Sequence, residues 1–368
     1  MEHKLTRRSL LKYFAAICVS ATRLPIVDIA KGQVYQAPSL KAAAQRSGKL
    51  VAMFSGQGQL MTDPIAARII AAEFDMLATG NDLKMNRIHP KPDTYDFSYG
   101  DWDLDWSKRN GLLFRGHTLV WHNVLPTWFR SYVNKENAQR VMTDHITTVV
   151  KHYAGNLYSW DVVNEPIHND GRADGLRVKP WLELVGPDYI EIAFRTAAAA
   201  DPKAKLMLNE CFIEHDLPAH TQRRDALLQL AIRLKNKNVP ITGVGIQGHI
   251  KADIPLATSS LKNLLTALQD LGLEIMITEL DVDDSHVPNA VRDEVVAQRF
   301  AEYLELVGPF ARVITFQTLA DPAKNQGQEF DFPGRADGLT HRPDLFDTSY
   351  QKKLSYYAAI KTLAHLGK

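Results

Sequence analysis

Cysteine is scarce: the 368 residues hold two, Cys18 and Cys211. No disulfide framework can hold such a fold together. An excess of one charge sign is missing too. Lys and Arg number 43 against 42 Asp and Glu, a formal net charge of +1, and no basic run occurs outside the first twelve residues. A basic groove for phosphate backbones is therefore excluded, and with it nucleic acid as a partner. No stretch of 18 or more apolar residues exists, so no membrane span is expected. The dinucleotide fingerprint is also lacking. Gly56-Gln57-Gly58 matches Gly-x-Gly-x-x-Gly in part, without the third glycine. Beyond residue 40 there is no low-complexity segment and no long Pro/Gly/Ser linker. What remains is 45% hydrophobic and 23% charged, which excludes a disordered chain.

Residues 1–35 read as an address that precedes the fold. Arg7 and Arg8 form a pair ahead of ten uncharged, mostly apolar residues, Tyr13 to Thr22. Ten residues are too few for a span, which needs about 20, and suit the apolar region of a signal peptide. The paired arginines resemble a bacterial twin-arginine export signal, an address read by a receptor. The expectation is recognition by twin-arginine export machinery and a periplasmic or secreted product. Small residues near Ser20-Ala21 or Ala30 are candidate cleavage sites. Without the leader, Cys211 is the single thiol.

From residue 40 onward, short apolar runs recur. They are Leu50 to Phe54, Phe74 to Ala78, Leu112 to Val120, Leu157 to Val163, Lys205 to Leu208, Ile241 to Ile246, Glu274 to Leu280 and Val313 to Leu319. Such runs, bounded by turn residues, suit buried parallel strands. Helix-like stretches lie between them: Asn137 to His152, Asp188 to Ala200, Thr221 to Lys235 and Ser259 to Leu271. For the last, Ser259 or Ser260 is the expected N-cap and Gly272 the stop. Eight strands alternating with helices predict an α/β fold, a (β/α)8 TIM barrel over residues 40–368; a doubly wound open sheet is the alternative.

In such a barrel the site lies at the C-terminal strand ends. Strand four closes with Asp161-Val162-Val163-Asn164-Glu165-Pro166 and strand seven with Ile277-Thr278-Glu279-Leu280-Asp281. One glutamate at a strand end is an ordinary surface acid. Two, on strands three apart around the ring, can serve as the carboxyl pair of glycoside hydrolysis, in which one protonates the leaving oxygen and the other attacks or activates water. Strand three closes with His117, Trp121 and His122; the Trp face suits a sugar ring and the His groups its hydroxyls. Five-residue spacing along a strand points His117 and His122 to opposite faces, so no metal pair is expected. Gln247 and His249 close strand six, where His249 can bridge Glu279 and Asp281. Asn209-Glu210-Cys211 closes strand five, with Glu210 expected as a plain ion-pair partner.

These blocks resemble glycoside hydrolase family 10, the β-1,4-xylanase barrels. The matching segments run in order: Gly116 to His122, Leu125-Pro126-x-Trp128, Asp161 to Pro166, Gly245 to His249 and Ile277 to Asp281. The resemblance implies Glu165 as acid/base and Glu279 as nucleophile of a retaining mechanism without cofactor or metal. It implies Asn164, His117, Trp121 and His249 around the attacked sugar, Gln247 orienting Glu279, and Asn81 and Lys84 further along the glycone side. Asp281, His122 and Asn209 would support them.

The departures lie on that glycone side. The family block Glu-Asn-x-Met-Lys-Trp stands here as Gly80-Asn81-Asp82-Leu83-Lys84-Met85. Val124 replaces a family Gln, and Gln317-Thr318 stands where a Trp-Gly pair is usual. The expected function is an exported retaining endo-β-1,4-glycanase, an endo-1,4-β-xylanase in the first instance, weak on plain xylan. Alternatives are the same mechanism on substituted xylan, β-glucan or an exopolysaccharide, or a non-catalytic carbohydrate-binding barrel.

Overall fold

The structure, a computed structural model, describes residues 38–322 and 332–366. The leader expected over residues 1–35 lies outside the described residues. The strands are β1 (Leu50–Ser55), β2 (Met76–Thr79), β3 (Leu113–Gly116), β4 (Ser159–Asn164), β5 (Lys205–Glu210), β6 (Gly243–Ile246), β7 (His249–Lys251), β8 (Glu274–Asp283) and β9 (Ala311–Phe316). All neighbours are parallel. β1 to β6 pair in sequence, β6 pairs with β8, β8 with β9, and β9 with β1. The sheet thus closes into the eight-stranded barrel. The short β7 is an addition along the outer half of β8, with His249 opposite Asp281.

Helices cover the outside because their apolar residues fall on one side. Along Ala138–His152, Val141, Met142, His145, Ile146, Val149 and Val150 are buried, the i, i+3, i+4 stripe of an amphipathic helix. Tyr189–Ala200 buries Ile190, Ala193, Phe194 and Ala197 in the same way. Inside the barrel, Ala52, Met76, Met207, Met276 and Val313 form a separate apolar layer from five strands. Above it the interior turns polar, with Arg115, Asp161, Asn209 and Thr278 fully buried. Polar side chains there need internal partners, and those partners lead into the site.

Two expectations fail locally. The third run is not one strand to Val120. β3 stops at Gly116, and the chain rejoins β4 at Leu119 and Val120, whose amides donate to the Asp161 and Val162 carbonyls (3.0 Å each). Between them, Thr79 Oγ1 accepts from the His117 amide (3.1 Å) and Thr118 donates to the Asp161 carbonyl (2.9 Å), so side chains replace the ladder. Gly116 permits the approach: a Cβ there would sit 2.3 Å from the Trp160 ring. The second failure is a cap. Helix Thr258–Asp270 has Ala257 at its N-cap, not Ser259 or Ser260. Gly272 does end the turn in the left-handed region (φ 74°), which favours glycine.

Candidate active site

Glu279 projects from β8 and is 7% exposed. Asn209 on β5 donates to its Oε1 (2.8 Å), and His249 Nε2 lies 3.6 Å from its Oε2. The same imidazole meets Asp281 through Nδ1 (2.9 Å), so it bridges the two acids. Burial alone would lower the His249 pKa; the charges and hydrogen bonds of Asp281 and Glu279 outweigh burial and raise it well above the usual imidazole value. Burial likewise works to raise Glu279. The His249 hydrogen bond and the charges of His117, His249 and Arg115 prevail and hold Glu279 at about 2. This carboxylate is kept ionised by its surroundings.

Glu165 follows β4 in the left-handed region (φ 53°), a conformation that costs energy for a non-glycine residue. Three contacts hold it there. Its amide donates to the Asn209 carbonyl (2.8 Å), its carbonyl accepts from Arg177 Nε (2.8 Å), and its Oε1 accepts from Gln247 Nε2 (3.0 Å). His122 Nε2 and Arg177 Nη2 stand 4.0 and 3.8 Å from Oε2. Burial first, and then the charges of Arg177, Lys179 and His168, lower His122 to about 3, so it stays neutral beside the acid. Asn164 accepts from Asn209 Nδ2 (2.8 Å) and its own Nδ2 is 3.5 Å from Glu165 Oε1. A chain of two amides therefore links the two carboxylates.

The expected residues converge, with three corrections. The Gln247 side chain binds Glu165, not Glu279; its carbonyl receives the Glu279 amide (2.8 Å) and Asn209 orients the Glu279 carboxylate. His117 and His122 do not diverge, because the strand ends before them: His117 joins Asp161 (2.8 Å) on the Glu279 side, and His122 faces Glu165. Glu210 is more than an ion-pair partner. It accepts the Ile167 and Cys211 amides (3.0 Å each), with Arg223 at 3.9 Å, and burial pushes it up to about 8. Arg115 donates to Asp161 at the bottom of the site. Trp121 packs near His117 and His122 and takes the Trp181 indole N–H on its carbonyl (2.9 Å). Arg177 and Trp181 were not anticipated. Both stand in irregular chain after β4, where no periodicity marks them.

Lys84 lies 5.1 Å from the Trp121 ring centroid and donates to Asn81 Oδ1 (2.8 Å). Both residues line a groove of about 960 Å³ bounded by the ends of β1, β2 and β9. Outside the site, Asp283, Asp284 and His341 each offer one ligand atom within 4.8 Å of the others. Asp284 already receives His341 (2.6 Å) and the Arg342 amide (3.0 Å), with Arg335 and Arg292 at 3.4 and 3.5 Å. Those cations fill the place a metal ion would take.

Residues 39–362 match the sequence profile of glycosyl hydrolase family 10. The chain belongs to that family. Among relatives of this glycosyl hydrolase family 10 chain, a β-1,4-xylanase of Dictyoglomus thermophilum is 34% identical over 302 residues, covering 80% of this chain and 83% of the relative. Endo-1,4-beta-xylanase A of Caldicellulosiruptor is 32% identical over 82% of this chain, which spans 44% of that longer protein. In three dimensions the chain is similar to xylanase 10B from Thermotoga petrophila in complex with xylobiose. The TM-score is 0.80 at 31% identity, over 90% of this chain and 99% of that one. The native xylanase 10B from Thermotoga maritima gives 0.79 at 31% identity, over 88% and 98%. The chain is a glycoside hydrolase of the xylanase-containing family.

Proposed function

We propose that this glycoside hydrolase cleaves internal β-1,4 bonds of a xylan-type polysaccharide with net retention. Glu279 attacks the anomeric carbon, while Glu165 protonates the departing glycosidic oxygen. A glycosyl–enzyme ester forms on Glu279. Glu165, now a carboxylate, takes a proton from a water that attacks the anomeric carbon on the face the leaving group has vacated, opposite Glu279, and so displaces the Glu279 carboxylate. The observation that carries this reading is the pairing of Glu165 and Glu279 through the Asn164 and Asn209 amides, with His249 bridging Glu279 and Asp281 in the way that holds a nucleophile's carboxyl low. Asn164, between the two acids, would meet the hydroxyl next to the reacting carbon, while the buried Asn209 amide behind it is spent on Asn164, Glu279 and Thr278.

The experiment is proton NMR of the first product formed from a soluble xylan, beside a Glu279→Ala control. The β-anomer is expected first, and no product from the variant. An α-anomer appearing first would overturn retention; product release by the variant at the wild-type rate would overturn the assignment of Glu279.

We read residues 1–35 as a twin-arginine-type leader and the protein as periplasmic or secreted, on the Arg7-Arg8 pair and the apolar run after it. Replacing both arginines by Lys should leave the protein in the cytoplasmic fraction of an expressing bacterium. Unchanged export would remove that reading.

A further inference from the structure

Behind the turn that carries Asn81 and Lys84 lies a buried acid pair. Asp82 and Asp103 are 8% and 0% exposed. Asp103 comes from helix Ser98–Arg109 and Asp82 from the turn after β2. Their carboxyls meet under Gly56, where a Cβ would overlap Asp82 Oδ2 and lie 3.5 Å from Asp103 Oδ2. The two acids are not equally provided for. Asp82 accepts the amide of Gln57 (3.0 Å), the first residue of helix Gln57–Thr62, and has Arg87 Nε at 3.9 Å. Asp103 receives no hydrogen bond on either oxygen among the described residues. A buried carboxylate with neither cation nor donor is costly, and two carboxylates side by side resist joint ionisation. The proton of the pair therefore belongs on Asp103, which donates it toward Asp82. Burial first, then the charge and hydrogen bond of Asp82, outweigh the pull of the Gln57 amide and push Asp103 up to about 9.

Apart from Arg87, the elements around the pair bring no counter-charge to it. Helix Gln57–Thr62 and β2 carry no ionisable side chain. β3 carries Arg115, which is engaged with Asp161 inside the barrel. Lys84 turns to Asn81 Oδ1 (2.8 Å). Burial, and then the charges of Asp101, Asp103 and Asp82, push the Tyr153 phenol up, so it stays neutral. On the helix of Asp103 itself, Asp101 faces His152 (2.7 Å), and Asp105, Lys108 and Arg109 are exposed. Asn81 and Lys84 line the groove from the same turn in which Asp82 and Leu83 are buried. Leu83 lies against Gly100 of that helix, where a Cβ would overlap it.

We infer that Asp103 is a positioning residue, whose proton fastens the turn of Asn81 and Lys84 to the start of helix Gln57–Thr62 through Asp82. Loss of the proton sets two like charges against each other out of reach of water, and the turn opens to hydrate them. Asn81 and Lys84 then leave the groove wall. The effect on substrate rests on the glycanase reading above; the acid pair itself does not.

The test compares the wild type with Asp103→Asn, which keeps a donor toward Asp82 and cannot ionise. Folded Asp103 holds its proton up to about 9, whereas the unfolded chain releases it near the ordinary 3.8. The thermal midpoint of the wild type, relative to Asp103→Asn, should therefore fall from pH 3.8 to about 9 and then level off. A difference that does not change with pH would overturn the inference. Hydrogen exchange of the amides of residues 80–88, read at the same pH for both proteins, should be equal at neutral pH. Above about pH 9 it should be about tenfold faster in the wild type; equal rates there would show that nothing is fastened. KM on soluble xylan should rise about fivefold over the same range in the wild type alone, with kcat little changed. A rise shared by both proteins, or absent from both, would overturn the positioning role; any titration of Lys84 is common to the two. Asp103→Leu removes the donor as well as the charge and should raise KM at neutral pH, where Asp103→Asn does not. A wild-type KM in the Leu variant would reduce Asp103 to a filler of space. Should either variant fail to fold, Asp82→Asn withdraws the like charge from the other side and should abolish the alkaline rise in exchange. If xylan is not cleaved at all, the glycanase reading fails, while midpoints and exchange still judge the acid pair.

Discussion

The catalytic mouth and the adjoining groove are built on opposite plans. In the mouth, amides and cationic groups are aimed at the two glutamates: Asn209 and His249 at Glu279, Gln247 and Arg177 at Glu165. In the groove, polar groups are aimed at one another, as Lys84 is at the Asn81 amide oxygen and Lys353 at Asp321. The first arrangement fixes protonation and geometry. The second ties the polar side chains of the groove to one another and leaves an open wall at Gly80. The groups of the mouth come largely from strand ends; the groove adds to the end of β1 the short helices Gln57–Thr62 and Met85–Ile88 and the loop residues beside them.

Substitutions in the mouth should therefore act on rate, and those in the groove on preference and stability. The largest effect is expected from Glu279→Ala, a loss of about 10⁴-fold or more in kcat on every substrate. A groove variant with an equal loss would break the contrast. Next is Arg177→Met, which frees the strained Glu165 backbone and should lower kcat by about 10²-fold with KM little changed. Arg177→Lys keeps the charge but loses the planar Nε–H donor, so it should remain impaired. Wild-type kcat in both would show that the clamp is dispensable.

His249→Asn tests how the nucleophile is kept ionised. Loss of the imidazole should raise the Glu279 pKa, moving the acid limb of kcat/KM upward by about one pH unit. The sign for stability follows from the two shifts. Glu279 is depressed, so its contribution is complete above its ordinary 4.5 and is lost as pH falls toward about 2. His249 is raised, so its contribution is complete below its ordinary 6.5 and is lost as pH climbs through the higher folded value. The wild type should exceed His249→Asn most in thermal midpoint between pH 4.5 and 6.5; a pH-independent difference would refute the coupling. The smallest effect belongs to the groove. Gly80→Ala should raise stability by about 0.4–1 kcal/mol in urea unfolding, because the position tolerates a Cβ and the unfolded chain loses freedom.

Much of this was legible in the sequence because buried parallel strands are written as short apolar runs, and their last residues enter the site. Glu165, Glu279, Asn164, Asn209 and His249 could all be found that way. The limits have physical causes. The run through His117 is apolar on both sides of the break, so hydropathy does not reveal that Thr79 and Thr118 replace the ladder there. Gln247 meets Glu165 and not Glu279 because its partner depends on where the closed ring brings β4 and β6, which no spacing encodes. Arg177 acts through a backbone carbonyl, and its loop carries no period. Ala257 caps a helix without a side-chain hydrogen bond, against the preference that pointed to serine.

The seam between β1 and β9 has a consequence in time. Leu50 pairs with Val313, and Lys49 reaches the Pro309 carbonyl 260 residues further on. The first strand to be synthesised must therefore wait for the last before its free edge is covered. Until then a growing chain carries two open sheet edges, the condition under which chains adhere to one another. Contacts this far apart in sequence also form slowly. The step that completes the catalytic ring is thus the one during which the nascent protein most needs protection.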